Sequence, residues 1–399
     1  MKTGFHLWLI IGLGLVAQGY GADHGMGSWS VKDFSRAPTV HAAPEWAQDG
    51  VEALFFDGPA FEGKPTRVFA YVGVPAKAPG EKVPGMVLVH GGGGTAFPEW
   101  VRQWTARGYA AIALDTGGNV PATNQAGRVR HASAGPVDGG ASIALGDRPP
   151  ADQWVYHAVA DIMLAHSLLA ARPGVDAKRI GLTGISWGGV LTAVVAGVDP
   201  RFRVFVPVYG CGFLEDSEMF RPPIATPAGA RWSQLWDPKH HLPDAMAPML
   251  WVNGTNDRFF QLGIWQRSAA LLCGPRTFLV IPRMGHGHGE GRRPAEIGVF
   301  VDAVLKGGAP LAVCGVPQRG QADVTVAVTA KVPIARARLH FTRDNGVASG
   351  RRWEEMPAAW NVALGKVTAT LPAGVRQYFV SVTDTRDCTV TTAVSDVGP

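Results

Sequence analysis

The sequence predicts an α/β fold, a doubly wound and mostly parallel sheet covered by helices, followed by a small all-β sandwich. Between about residues 51 and 305, short apolar runs alternate with longer helical segments, which is typical of parallel strands buried on both faces. After Gly307-Gly308 the helical segments stop, and period-two alternation between turn signals indicates a sandwich. We therefore place the α/β domain at residues 23–312 and the sandwich at residues 316–399.

The individual elements follow from the spacing of apolar residues. Runs rich in Val, Ile and Leu predict seven strands of the parallel sheet: Arg67–Val74, Gly85–His90, Ala110–Asp115, Arg179–Thr183, Val204–Tyr209, Met249–Asn253 and Thr277–Ile281. Longer segments between them predict five helices: Pro98–Arg107, Asp152–Ala171, Gly188–Gly197, Leu262–Cys273 and Pro294–Leu305. Strict alternation predicts four strands of the sandwich: Asp323–Ala330, Ala335–Thr342, Val367–Leu371 and Tyr378–Asp384. Residues 24–50 are polar and predict an irregular lead-in.

Two long irregular segments, residues 116–147 and 212–244, interrupt this rhythm. Both leave the carboxyl end of a predicted strand, where ligands bind in open α/β sheets, so we expect them to shape a pocket. Trp187, Trp232 and Trp236 fall in or near this region. Their flat faces would suit sugar rings, but for any one of them ordinary packing in the core or a loop is the favoured interpretation.

The first residues have the features of a secretory signal. A positive start at Met1-Lys2 precedes an almost wholly apolar run, Phe5–Ala17, and small residues follow. The run is short for a bilayer span, which predicts a cleaved signal peptide over residues 1–22. We expect a secreted or periplasmic product without stable membrane insertion after cleavage; an uncleaved anchor is the alternative.

The composition excludes some partners. The formal net charge is +5, but Lys and Arg are scattered rather than gathered into a basic stripe, so nucleic-acid binding is not expected. The four cysteines, Cys211, Cys273, Cys314 and Cys388, are compatible with an oxidising compartment, and sequence alone leaves their pairing open. No Cys/His spacing resembles a zinc site, and we expect neither metal nor cofactor. The oligomeric state stays open.

The segment Gly184-Ile185-Ser186-Trp187-Gly188 carries the strongest chemical signal. It lies between a predicted strand and a predicted helix, the context in which a G-x-S-x-G turn exposes a nucleophilic serine. The flanking glycines allow strand and helix to pack closely around a strained serine. We therefore predict that Ser186 is a nucleophile.

A serine nucleophile needs a base, and the base needs a carboxylate. Asp257 and His286 each follow the carboxyl end of a later predicted strand, on the same sheet edge as Ser186. His288 lies two residues further on, and we favour His286 because it is the first histidine after its strand. The His-x-His spacing also permits a metal site, but no carboxylate pattern accompanies it.

An oxyanion needs two fixed N–H donors. We predict the backbone of Trp187, directly after the nucleophile, and that of Gly92, with Gly93 as the neighbouring candidate. Glycine is expected there because a side chain would keep the backbone away from a substrate. A phosphate-binding loop is disfavoured because no Lys-Ser/Thr pair follows.

Together, His90–Gly94, the serine motif, Asp257 and His286 resemble the dienelactone hydrolase and acetyl xylan esterase (cephalosporin-C deacetylase-like) branch of the α/β-hydrolases over about residues 50–306. This resemblance implies a Ser186–His286–Asp257 triad and a serine carboxylesterase that forms an acyl-enzyme. The expected substrate is a small-molecule or polysaccharide ester, above all an acetylated carbohydrate such as xylan. Dienelactone hydrolases use cysteine where Ser186 stands, which argues against lactones. The tail is similar to a fibronectin-type module.

Two other functions are compatible with the sequence. A prolyl-oligopeptidase-type serine peptidase shares the triad order, but the residues before the α/β domain are too few for its usual propeller. A carbohydrate-binding protein on an inactive hydrolase scaffold would use the C-terminal sandwich, and the intact set of triad candidates argues against it.

Overall fold

The computed structural model describes residues 29–122 and 127–397. The predicted signal peptide, residues 1–22, therefore lies outside the described residues. Eleven strands precede residue 282: β1 Val40–Ala42, β2 Glu52–Phe61, β3 Lys64–Gly73, β4 Val83–Val89, β5 Ala110–Leu114, β6 Asn119–Pro121, β7 Arg128–Arg130, β8 Val175–Ile185, β9 Phe205–Val208, β10 Met249–Gly254 and β11 Arg276–Ile281. Eight α-helices accompany them: α1 Pro98–Ala106, α2 Trp154–Ala171, α3 Trp187–Val198, α4 Arg221–Ile224, α5 Pro227–Trp236, α6 Leu262–Ala270, α7 His288–Gly291 and α8 Ala295–Lys306.

The main sheet has the strand order β1-β2-β3-β5-β4-β8-β9-β10-β11. The six strands from β5 to β11 in this order pair in parallel, whereas β1, β2 and β3 pair antiparallel at the other side. The doubly wound α/β fold predicted from the sequence is thus confirmed. Because β8, β10 and β11 are parallel and close in this order, the loops after them meet at one edge of the sheet.

All seven strands predicted for the α/β region are present, with ends shifted by a few residues. The prediction missed β1, β2, β6 and β7. Gly58 and Pro59 interrupt the alternation within β2, and both residues are poor strand formers. β2 nevertheless pairs with β3 over most of its length, because its apolar side chains Leu54 and Phe56 are fully buried.

Two helices lie in the core. α2 and α3 are apolar around almost their whole circumference, and nearly every side chain on them is buried. α2 is long and apolar enough to cross a membrane by composition, but 83% of it is buried within the protein, as expected for a core helix.

Beyond α8 the described chain is built from strands: β12 Val313–Cys314, β13 Gln318–Arg319, β14 Asp323–Thr329, β15 Ile334–Thr342, β16 Glu354–Asn361, β17 Lys366–Thr370, β18 Gln377–Asp384, β19 Thr389–Thr391 and β20 Ser395–Asp396. All pair antiparallel. β16 pairs with β15 through its first half and with β17 through its second half, so it connects two sheets. This strand-rich region agrees with the predicted all-β fold.

The C-terminal strands adjoin the main sheet directly. β19 pairs antiparallel with β11 at Thr391 and Phe278, and Thr391 Oγ1 accepts the N–H of Val280 at 3.2 Å. The edge of the parallel sheet is therefore covered by the C-terminal strands.

All four cysteines lie in the described residues, and each is a free thiol in the structure. Cys211 is fully buried, and burial raises the pKa of its thiol well above the ordinary value. The pairing that the sequence left open is thus not made in the structure.

Candidate active site

The turn between β8 and α3 holds Ser186 in an uncommon backbone conformation, with φ 58° and ψ −117°. A side chain on Gly184 would collide with the backbone of Gly188, and one on Gly188 would collide with the carbonyl of Val89 on the neighbouring strand. Both glycines are therefore required by the close approach of strand and helix. The structure accounts for the G-x-S-x-G spacing in physical terms.

Hydrogen bonds hold this strained turn in place. The N–H of Ser186 donates to the carbonyl of Val208 at 2.9 Å, and its carbonyl accepts the N–H of Val190 at 3.0 Å. The backbone of the serine is thus fixed to β9 and to α3, while its hydroxyl stays free to meet a base. Strain at a position held this firmly is typical of functional sites.

The loop after β10 carries Asp257, which is 3% exposed. Its Oδ1 accepts the N–H groups of Phe259 and Phe260 at 2.8 and 2.9 Å. Its Oδ2 lies 2.6 Å from His286 Nδ1. One carboxylate oxygen therefore closes the loop, and the other is directed at the imidazole.

The loop after β11 carries His286. Its ring lies against Tyr209, with ring centroids 4.4 Å apart, and against Phe259 at 4.6 Å. The Tyr209 hydroxyl donates to the carbonyl of Gly285 at 2.7 Å, which fixes the backbone of the loop next to His286. Packing on two faces leaves the imidazole little freedom to rotate.

His286 Nε2 lies 2.9 Å from Ser186 Oγ. The structure therefore brings together the three side chains that the sequence indicated, from three separate loops at one sheet edge. A carboxylate bonded to Nδ1 favours the tautomer that leaves Nε2 as an acceptor for the serine proton. Such an arrangement is suited to acyl transfer through a serine ester.

The two segments predicted to supply oxyanion donors lie side by side. A Cβ on Gly92 would contact the Trp187 indole at 3.0 Å, and one on Gly91 would lie 2.8 Å from Ser186 Cβ. Gly93 has φ +75°, which favours glycine. Among the described residues, the N–H groups of Gly92 and Gly93 have no backbone or side-chain acceptor. The role of these residues as donors stays a prediction.

His288 lies beside the glycine loop rather than at the serine. Its Nε2 accepts the N–H of Gly91 at 2.9 Å, and its ring packs against Phe97 with centroids 4.9 Å apart. Its contact joins positions 197 residues apart, so no local pattern could have indicated it.

The two irregular segments approach the same place. Arg128, in the first segment, donates to the carbonyl of Gly94 at 2.8 Å and pairs with Asp138 at 3.3 Å. From the second segment, the Phe220 ring packs edge-on against Trp187 at 5.1 Å. Both segments therefore support the candidate site.

The tryptophans do not offer open faces to a sugar. Trp232 is fully buried and packs edge-on against Trp187, which is itself 6% exposed. Trp236 is 1% exposed and donates to Gln153 Oε1 at 2.7 Å. All three pack as core residues, which confirms the favoured interpretation of ordinary packing over that of a sugar platform.

The C-terminal region reaches the loop of the candidate acid. The side-chain amide of Asn256, the residue before Asp257, donates to the carbonyls of Ser349 and Arg351 at 3.1 and 2.7 Å. In the same segment, the N–H of Ala348 donates to Glu218 Oε1 at 3.1 Å. Residues 348–351 are thus fastened to two loops of the α/β region.

Replacing Asn256 with alanine is expected to lower kcat/KM for ester hydrolysis about tenfold, because a shift of about 1 Å in a catalytic group can cost up to about 100-fold. The loss of these hydrogen bonds should also lower the free energy of unfolding by about 1–2 kcal/mol. Steady-state kinetics and denaturant unfolding measure the two effects. The matched control is Asn345→Ala, which removes an exposed amide from the same region. Equal activity of the two variants would contradict a link to the acid loop.

Within residues 29–122 and 127–397 there is no group of three or more His, Cys, Asp or Glu side chains placed to hold a metal ion. His286 and His288 have different hydrogen-bond partners: His286 pairs with Asp257, and His288 accepts from Gly91.

Comparison with known proteins agrees with this geometry. Residues 50–219 match the family model described as acetyl xylan esterase (AXE1). The solved acetyl xylan esterase from Paenibacillus sp. R4 superposes with a TM-score of 0.54 and 21% identity, covering 69% of this chain and 92% of that one. Acetyl xylan esterase 1 from Thermoanaerobacterium sp. JW/SL YS485 gives a TM-score of 0.51 and 18% identity, covering 64% and 86% of the two chains. No curated protein matches the chain. At these identities the solved structures establish the fold.

Proposed function

We propose that this α/β-hydrolase, whose residues 50–219 match the acetyl xylan esterase family, is a serine carboxylesterase that removes small acyl groups, above all acetyl, from carbohydrate. The observation that carries the proposal is the continuous hydrogen-bonded series Ser186 Oγ, His286 Nε2, His286 Nδ1 and Asp257 Oδ2, with separations of 2.9 and 2.6 Å. The family match supports the choice of substrate class.

The reaction would proceed in two halves. As Ser186 Oγ attacks the ester carbonyl, His286 Nε2 takes the hydroxyl proton, and the N–H groups of Trp187 and Gly92 bind the oxyanion. Collapse of the tetrahedral intermediate breaks the bond to the alcohol oxygen, which receives the proton from His286. A water molecule then repeats the attack on the acyl-serine and releases the acid. Asp257 keeps the imidazole oriented and stabilises its charged form.

The aromatic rings at the site support a small acyl group. Phe259 packs on His286, and Phe220 contacts both Trp187 and Phe260. We infer from these contacts that the acyl pocket is small. We also propose that the protein is exported, on the strength of the apolar run Phe5–Ala17, and that the chain divides into two units between residues 312 and 316.

The test compares ester and amide substrates that each release a coloured nitroaromatic product. We expect kcat/KM for p-nitrophenyl acetate to exceed that for p-nitrophenyl octanoate by about tenfold or more. A small acyl pocket would exclude the longer chain, and one methylene can change kcat/KM by about tenfold. Acetate should also be released from acetylated xylan. An alanine p-nitroanilide should react much more slowly than the acetate ester. Faster hydrolysis of the amide would replace the proposal with a peptidase, and binding of xylan without any turnover would replace it with a binding protein.

A further inference from the structure

The glycine loop Gly91–Gly94 is held at both ends by side chains from distant parts of the chain. At its start, the N–H of Gly91 donates to His288 Nε2 at 2.9 Å, and the carbonyl of Gly91 faces His90 Nδ1 at 2.7 Å. At its end, the carbonyl of Gly94 accepts from Arg128 at 2.8 Å. The N–H of Gly94 also donates to the carbonyl of Gly91 at 3.0 Å, which closes the turn.

Between these anchors lie Gly92 and Gly93, whose N–H groups have no acceptor among the described protein atoms. The flanking residues Gly91 and Gly94 are thus hydrogen-bonded within the protein, whereas the N–H groups of Gly92 and Gly93 are available to a ligand. Glycines have no side chain to restrict their backbone, so a loop of four in succession keeps one shape only if other residues impose it. A preorganised donor is worth far more to catalysis than one that must be ordered during the reaction.

We infer that His288 is a positioning residue for the reaction, whose ring accepts the Gly91 N–H and thereby fixes the adjacent Gly92 N–H as an oxyanion donor beside Ser186. This inference rests on the proposed function. His288 touches the glycine loop and not the serine, which His286 serves. The two histidines of the Gly285–Gly289 segment thus have separate tasks.

The surroundings of His288 favour the neutral ring that this contact requires. Nε2 can accept the Gly91 N–H only when it carries no proton. Burial is the main cause that lowers the pKa of His288 to about 4; the neighbouring His90, Arg292 and His286 also lower this pKa, whereas the contact with the Gly91 backbone raises it. Phe97 covers one face of the ring, and Arg292 lies over the same phenyl group. Two acidic groups lie in this neighbourhood: Glu290, on the same short helix, and Glu99, which pairs with Arg292 at 2.8 Å.

The experiment compares two amides that differ in reach. In His288→Gln the side-chain oxygen can occupy the place of Nε2, whereas in His288→Asn it falls short, near the place of Nδ1. We expect H288N to lower kcat for p-nitrophenyl acetate about 10–100-fold with KM changed less than about threefold, because the lost interaction belongs to the transition state. H288Q should stay within about fivefold of the wild-type kcat.

A second measurement separates positioning from general damage. A trifluoromethyl ketone forms a tetrahedral oxyanion on a reactive serine, so its affinity should fall in H288N by the same factor as kcat/KM. Thermal unfolding of both variants shows whether they fold alike. Equal kcat and equal inhibitor affinity in H288N and H288Q would overturn the role of His288 while leaving the esterase intact. Absence of ester turnover and of inhibitor binding in the wild type would overturn the proposed function, and this inference with it.

Discussion

Replacement of Ser186 with alanine is expected to lower kcat for ester hydrolysis by about 10⁵–10⁶-fold, because no other group can form the acyl-enzyme. Oγ of Ser186 is hydrogen-bonded to His286 alone among the described side chains, so its removal should leave the fold and its thermal unfolding almost unchanged. Initial rates with p-nitrophenyl acetate and a melting curve measure the two quantities. Ser35→Ala removes a surface hydroxyl and serves as the matched control.

The double variant Ser186→Ala, His286→Ala sharpens this test. Since every step served by His286 passes through Ser186 or the acyl-serine, the loss of the base after the serine has gone should lower the rate little further. A double variant that is slower than Ser186→Ala by the full effect of the single His286→Ala change would show that the two residues act separately. Turnover by Ser186→Ala within about tenfold of wild type would exclude the serine mechanism altogether.

Replacement of Asp257 with asparagine is expected to lower kcat about 10⁴-fold. Oδ1 accepts two backbone N–H groups, so the asparagine oxygen should keep that place and direct its NH₂ group at His286 Nδ1. The imidazole must then accept at Nδ1 and carry its proton on Nε2, where it cannot take the proton of Ser186. The enzyme would be folded but held in the wrong tautomer. Kinetics at neutral pH measure the loss.

Asp237→Asn is the control for this change. Asp237 is also fully buried and accepts backbone N–H groups, those of Phe213 and Leu214, but it does not contact the imidazole. Its replacement should affect the free energy of unfolding more than kcat. If both asparagine variants lost activity to the same extent, the effect at Asp257 would be one of folding and not of imidazole orientation.

The parallel strands could be predicted because each is a local apolar run. A strand buried on both faces has apolar residues at consecutive positions, which is visible in the sequence. The strand β2 was missed because its pairing with β3, and not its own composition, makes it a strand. The loops that carry Ser186, Asp257 and His286 could be placed at one edge because parallel strands all end there.

What could not be predicted depends on contacts between distant positions. The hydrogen bond from Gly91 to His288 and those from Asn256 to residues 349 and 351 have no periodic or motif signal in either partner. Trp232 and Trp236 are a similar case. A tryptophan can stack on a sugar or pack in the core, and only the surrounding structure shows that these two are buried. The residues that carry the proposed chemistry could be recognised from the sequence. The residues that hold them in position could not.

Two contacts of the C-terminal strands affect when the candidate site can form during synthesis. β19 pairs with β11, and the carbonyls of residues 349 and 351 accept hydrogen bonds from Asn256. Under the proposed function, the loop of the candidate acid Asp257 depends on residues 349 and 351, which lie 93 and 95 positions after Asn256 in the chain, and the sheet edge at β11 is paired with β19. A nascent polypeptide that has not yet reached these residues would hold all three candidate side chains without the contacts that support the acid loop. Hydrolytic competence would then arise only after residues 348–351 and β19 have been made.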